Sequence, residues 1–138
     1  MIDWSSSSGQ KLQGRLETDR VVWLTTVTAD QVPLPSVVWF LWDGAELLIY
    51  SQPGKPKLAN IAERPAVALN FNSNPQGGDV VVVNATARLA PDMPPPHEHP
   101  AYLEKYGERM RGGWNSPEEF AAIYSEPLLV VPDRVRGG

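Results

Sequence analysis

Three runs rich in β-branched and aromatic residues lie between positions 21 and 51, separated only by turn-length gaps. "VVWLTTVT" (21–28) reaches "PSVVWFLW" (35–42) after a few turn residues, and Asp43-Gly44 leads straight into "AELLIYS" (45–51). A link this short joins antiparallel neighbours, because a parallel partner needs a crossover of about a dozen residues or more. This spacing commits the first half of the chain to an antiparallel sheet. "AVALNFN" (66–72), "DVVVVNATARLA" (79–90) and "PLLVVPDRV" (127–135) bring the expected strands to six. The run 79–90 is long enough to bend, and Pro132 marks an edge or bulge position, since proline cannot donate to a ladder.

Helical patterns fall at the connections. "GQKLQGRLETD" places Leu12 and Leu16 on one face. A short helix over about 57–64 is closed by Pro65. "AYLEKYGERMR" and "SPEEFAAIYS" give two more, the second capped by Ser116 with Pro117 at its first position. Residues 1–8, with four consecutive serines, read as a flexible arm, and "PDMPPPHEHP" (91–100) as an extended connector. The 138 residues suit a single domain, 1–138, with one sizeable core. The pattern is mainly β: an antiparallel barrel with a few short helices. No strand leads into a GxGxxG or Walker loop, so a nucleotide-like cofactor would have to be held in another way.

The formal net charge is −4 and the pI about 5.1, which argues against a nucleic-acid partner but leaves room for a local cationic pocket. The absence of cysteine excludes disulfides, thiol catalysis and cysteine-ligated metals. No basic-then-apolar leader and no apolar run near the roughly 18 residues of a membrane span are found. No membrane partner and a cytoplasmic location are expected.

Such a pocket suggests itself at "YSQPGKPKLAN" (50–60), where a strand gives way to a helix. A helix N-terminus offers free backbone N–H groups and about half a positive charge. Lys55 and Lys57 add ammonium groups at the end where cations disfavour the helix itself, a cost that an anionic ligand would offset. Gly54 permits close approach of backbone to ligand, and Ser51 can donate a hydroxyl hydrogen bond. Solvated turn lysines are the plainer reading of the same residues. His97-Glu98-His99 supplies too few ligands for a zinc site, so no metal is expected. Trp39 and Trp42, three apart in one run, should face opposite sides, and Trp4 and Trp114 could flank a substrate mouth. No nucleophile elbow occurs, and no carboxylate pair stands out as acid and base. The catalytic residues are unassigned; Tyr50, Tyr102, Tyr106 and Tyr124 are the available phenols.

The stretch "TTVTADQVPLPSVVWFLWDGAELLIYSQPGKPKLANIAERPAVALNF" resembles the N-terminal half of the pyridoxamine 5′-phosphate oxidase-like, FMN-binding split-barrel family. The end, "YSEPLLVVPDRVRGG", resembles the actinobacterial branch that uses the deazaflavin coenzyme F420. The resemblance implies a six-stranded antiparallel split β-barrel of Greek-key type. It implies a homodimer with two cofactor sites at the subunit interface. Lys57 matches the lysine that holds the cofactor phosphate, Tyr50 and Ser51 the strand-end positions beside it, and Lys55 and Asn60 neighbours. Ser36, Val38 and Trp39 would run along the flat ring system. FMN-dependent members carry basic residues where Ser36, Leu41 and Pro56 stand here, which favours a cofactor with a different tail. F420 ends in a long polyanion, and Lys105, Arg109 and Arg111 could meet it, although a solvated helix face also explains them. The implied activity is hydride transfer from reduced F420 to a small electron-poor organic substrate. The alternatives are an FMN-dependent oxidase or reductase, or a split-barrel protein that binds a cofactor or haem without turnover.

Overall fold

The computed structural model describes residues 1–137. The chain runs α1 (Ser7–Thr18), β1 (Val21–Val27), β2 (Pro33–Trp39), β3 (Leu41–Trp42), β4 (Leu47–Ser51), α2 (Pro56–Glu63), β5 (Ala66–Asn70) and β6 (Val81–Leu89). A 3-10 turn (Pro96–Glu98), α3 (Pro100–Trp114), α4 (Pro117–Ile123) and β7 (Glu126–Gly137) complete it. All strand pairs are antiparallel and form one sheet in the order β2-β1-β5-β6-β7-β4-β3.

That order dictates the shape. β2 and β3 are the opposite edges of the sheet, yet only Phe40 separates them in sequence. Laid flat, seven strands would put those edges about 29 Å apart, whereas one residue bridges about 7 Å. The sheet must therefore curl until its edges meet, giving a split β-barrel with a seam at Phe40.

The expected run 35–42 thus divides into two strands, making seven where six were expected. The cause is a side chain 66 residues away. β1 and β2 pair in register from Val21↔Trp39 to Val27↔Pro33, so the next rung would join Arg20 and Phe40. The Tyr106 hydroxyl occupies that rung. It accepts from the Phe40 N–H at 2.9 Å and lies 2.6 Å from the carbonyl oxygens of both Phe40 and Arg20. The Lys105 ammonium also donates to the Phe40 carbonyl, at 2.7 Å. With its backbone groups taken by α3, Phe40 leaves the β1 ladder and the chain peels away into β3.

Two apolar clusters follow from the alternation of strand side chains. The barrel interior holds Val22, Leu24, Phe40, Leu47, Ile49 and Leu69, with Leu12 and Leu16 of α1 packed in. Outside the sheet, Leu48, Tyr50 and Leu129 pack under Tyr102, Tyr106 and Phe120 of the helices. β4 is covered on both faces, which is why its sequence is continuously apolar instead of alternating. Trp39 packs with the outer cluster and Trp42 with the inner one, opposite sides as expected. Of residues 1–8, read as a flexible arm, Ile2 is buried in the inner cluster and Ser6 caps α1, its hydroxyl accepting from the Gly9 N–H. In β7, Pro132 pairs with Ala85 while Arg134 pairs with Asn84, so Asp133 is an extra residue and the bulge in β7 falls beside the proline.

Candidate functional site

The barrel has a split because β3 is short. β3 covers β4 only at Leu47 and Leu48, leaving the edge beyond them unpaired. Across that gap stands the end of β2. A cleft of about 270 Å³ fills the gap, lined by Val37, Val38 and Trp39 of β2 and by Tyr50 and Ser51 of β4.

Backbone chemistry distinguishes the positions along β2. Pro33 and Pro35 have no N–H to give to β1, so residues of their parity turn their backbone groups away from it. Val37 and Trp39 share that parity. Their backbone N–H and C=O groups face the free edge, whereas those of Ser36 and Val38 serve the ladder to β1.

The cationic end is built by local rules. β4 stops at Ser51, and Gly54 turns the chain with φ +75°. Lys55 caps α2 with an extended backbone and no side-chain hydrogen bond, Pro56 takes the first helical position, and the first turn carries no acidic residue. Lys55 and Lys57 both line the cleft beside Gln52. Burial lowers the Lys57 pKa, and the neighbouring Lys55 ammonium lowers it further. An anion at this corner would relieve both effects.

The opposite wall is aromatic. Trp39 lies parallel to Tyr106 (4.6 Å, 3°) and to Phe120 (5.3 Å, 13°), and Phe120 lies parallel to Tyr124 (4.5 Å, 15°). Trp114 is perpendicular to Trp39, Phe120 and Tyr124, with centroids 5.6, 5.0 and 5.8 Å away. Being nearly equidistant from three stacked rings, Trp114 flanks the stack and does not extend it. Tyr102, Trp114, Phe120 and Tyr124 all line the cleft.

Six of the eight residues singled out in the sequence come together here: Lys57, Lys55, Ser51, Tyr50, Val38 and Trp39. Ser36 and Asn60 are not among the lining residues. Asn60 is buried beneath α2, where its amide donates to Thr26 Oγ1 at 3.1 Å and its carbonyl accepts from Arg64 at 3.3 Å. Ser51 donates its hydroxyl to the Gln52 carbonyl. The Tyr50 hydroxyl donates to the Pro94 carbonyl, pinning the proline-rich connector to the barrel, and burial raises its pKa. Lys105 is committed elsewhere: its ammonium sits 3.8 Å over the Phe40 ring while donating to the Phe40 carbonyl, and it does not line the cleft. Arg109 and Arg111 are exposed on α3. Trp4 packs against Trp42 at a separate cavity and not at the cleft mouth. His99 caps α3, its Nδ1 accepting from the Tyr102 N–H. Val21, Val37, Gln52 and Phe120 are cleft residues that the sequence did not single out. For Phe120 a signal existed in the aromatic spacing of "WNSPEEFAAIY" (114–124); for Val21 and Val37 none did, because each looks like an ordinary strand residue.

Fold and cleft together define a split-barrel protein with a cationic corner facing an aromatic wall. Residues 8–133 match the pyridoxamine 5′-phosphate oxidase family, and the chain belongs to that family. It is similar to the solved structure of an F420 reductase (26% identity, TM-score 0.66, 90% of this chain and 94% of that one). A Listeria innocua protein, provisionally named a pyridoxamine 5′-phosphate oxidase, is comparably similar (25% identity, TM-score 0.61, 92% and 94%). A haem storage protein from Vibrio cholerae shares the fold at 10% identity (TM-score 0.65, 93% and 92%). No curated protein matches the chain. No helix among the described residues is long and apolar enough to cross a membrane.

Proposed function

We propose that this protein is an oxidoreductase that holds the deazaflavin F420 in the cleft and reduces a small, electron-poor organic molecule. One observation carries the reading. Two lysines and an uncapped helix N-terminus converge on one end of the cleft, while Ser36, Leu41 and Pro56 offer no further cations. The donor set suits the phosphodiester of such a cofactor. Lys57, half-buried, would gain a partner for its costly charge, and Lys55 would reach the anion from the solvent side.

Bound there, the deazaflavin would supply a hydride. The chain's own part is to hold, shield and protonate. Val37 and Trp39 present backbone groups along the free edge of β2. Trp114, Phe120 and Tyr124 exclude water from the opposite side. Among the described residues, Tyr102 and Tyr124 are the cleft phenols whose hydroxyls are not already given to a backbone carbonyl. Burial and the adjoining tyrosines raise the Tyr102 pKa, which makes it a poor acid and leaves Tyr124 or a water to protonate the product.

The test is titration with F420 and with FMN, followed by tryptophan fluorescence. F420 should bind more tightly. Lys57→Ala should weaken F420 by about 1.5–3 kcal/mol, roughly 10- to 150-fold, the range for one charge-assisted contact. Tighter binding of FMN would favour the flavin-dependent alternative, and unchanged F420 affinity in Lys57→Ala would remove the lysine from the site. Tight binding without oxidation of the reduced cofactor by any acceptor would favour a carrier.

A further inference from the structure

Two glycines end α3, and nothing in their surroundings asks for glycine. Gly112 and Gly113 are exposed and helical, and a Cβ built on either meets no atom within 4 Å. Gly107 in the same helix is different: it is buried, and a Cβ there would come within 3.4 Å of the Arg111 guanidinium. Gly14 in α1 also lies in open surroundings, but it stands alone and Leu16 anchors the turn that follows. Each glycine lowers local helix stability relative to alanine by roughly fivefold in equilibrium constant.

The pair sits where weakening matters. The last buried residue of α3 is Met110, and residues 111–113 are all exposed before Trp114 enters the cleft wall. Asn115 then takes φ +66°, and its N–H makes no helix-closing bond. The residues that close α1, α2 and α4 (Asp19, Arg64 and Tyr124) each donate back to a carbonyl four positions earlier. Beyond this loose turn, α4 is well braced. The Ser116 hydroxyl accepts from the Glu119 N–H, Pro117 takes the first helical position, and Glu118 and Glu119 suit the helix dipole. α4 carries Phe120, and Tyr124 follows directly, so a stiff unit bearing the aromatic wall lies between this weak turn and the start of β7 at Glu126.

We infer that the last turn of α3, Gly112–Asn115, is a hinge on which the aromatic wall of the cleft opens to admit the cofactor and closes over it. The gating role rests on the cofactor reading given above; the hinge itself does not.

The experiment compares the wild type with the double variant Gly112→Ala/Gly113→Ala, which adds helix propensity without a clash. Hydrogen exchange at residues 112–114 should slow by about tenfold or more, since two fivefold steps compound. In stopped-flow tryptophan fluorescence, association and dissociation of F420 should both slow by a similar factor while the Kd moves less than about threefold, because the substitutions alter the opening and not the contacts. Unchanged exchange overturns the hinge. Slowed exchange with unchanged association overturns the gating. If neither protein binds F420, the cofactor reading falls, and the exchange result alone upholds or overturns the hinge.

Discussion

Lys105 stands where two demands conflict. Its ammonium helps hold the Phe40 carbonyl at the seam, yet burial and the nearby Arg20 guanidinium lower its pKa to about 8, with Asp19 opposing. Between that value and the ordinary 10.5, the unfolded chain binds more protons at this lysine than the folded protein does. The free energy of unfolding contributed by Lys105 should therefore rise with pH across that window. Lys57 is shifted in the same direction, so the wild type alone cannot isolate the effect. Lys105→Met should: urea midpoints at pH 7 and pH 9.5 should rise more steeply for the wild type than for the variant. Equal slopes would mean that the Lys105 charge is solvated in the folded state.

At the scale of elements, α2 positions the cationic corner, and its hold on the barrel comes from residues outside the cleft. The Asn60 amide reaches Thr26 of β1, and Arg64 Nε donates to the Val27 carbonyl at 2.8 Å. Asn60→Leu would leave the Thr26 hydroxyl and one arm of Arg64 without these partners, at a cost of about 1–3 kcal/mol. F420 binding should weaken less than in Lys57→Ala, and its salt dependence should match the wild type, because no charge is removed. Urea denaturation with titrations at two salt concentrations checks both; undiminished stability would show that the clamp contributes nothing. The same helix shows how far local pattern reaches. "YSQPGKPKLAN" spells out a strand end, a left-handed glycine, a proline at the first helical position and two lysines, all signals within one turn of each other. The partner that gives Asn60 its structural role lies 34 residues away, and no local signal connects them. Likewise Phe40 leaves β2 because of Tyr106, so "PSVVWFLW" read by itself looks unbroken. The hairpin order of the first three strands was legible because Asp-Gly and short gaps are covalent constraints. The cleft's aromatic wall was legible only in part, as tryptophans and tyrosines without an address.

For the whole molecule, the consequence of a barrel closed through one residue is that its free edge runs beside its cleft. Along that edge Val32, Leu34 and Val37 are 49%, 37% and 52% exposed. Scattered apolar residues on a surface are ordinary, but here Leu34 shares the side of Val38, Val37 shares the side of Trp39, and Val32 stands just before the strand, so both sides of this edge are apolar next to the cleft, where the homodimer implied by the family resemblance would pack. Pro33 and Pro35 remove the donors that open-ended strand addition would need, so packing there would go through side chains and end at a closed pair. In a lone chain, Val37→Asp should be nearly neutral, since the side chain is already half in water. In a dimer the same carboxylate would be buried against apolar surface without a partner, at a cost of several kcal/mol. Light scattering should therefore give twice the chain mass for the wild type and the chain mass for Val37→Asp, with little change in the urea midpoint at concentrations where both are monomeric. Because the edge also walls the cleft, F420 affinity should fall along with the dimer. A wild type that is monomeric at all concentrations would return Val37 to the solvent and leave each cleft complete within one chain.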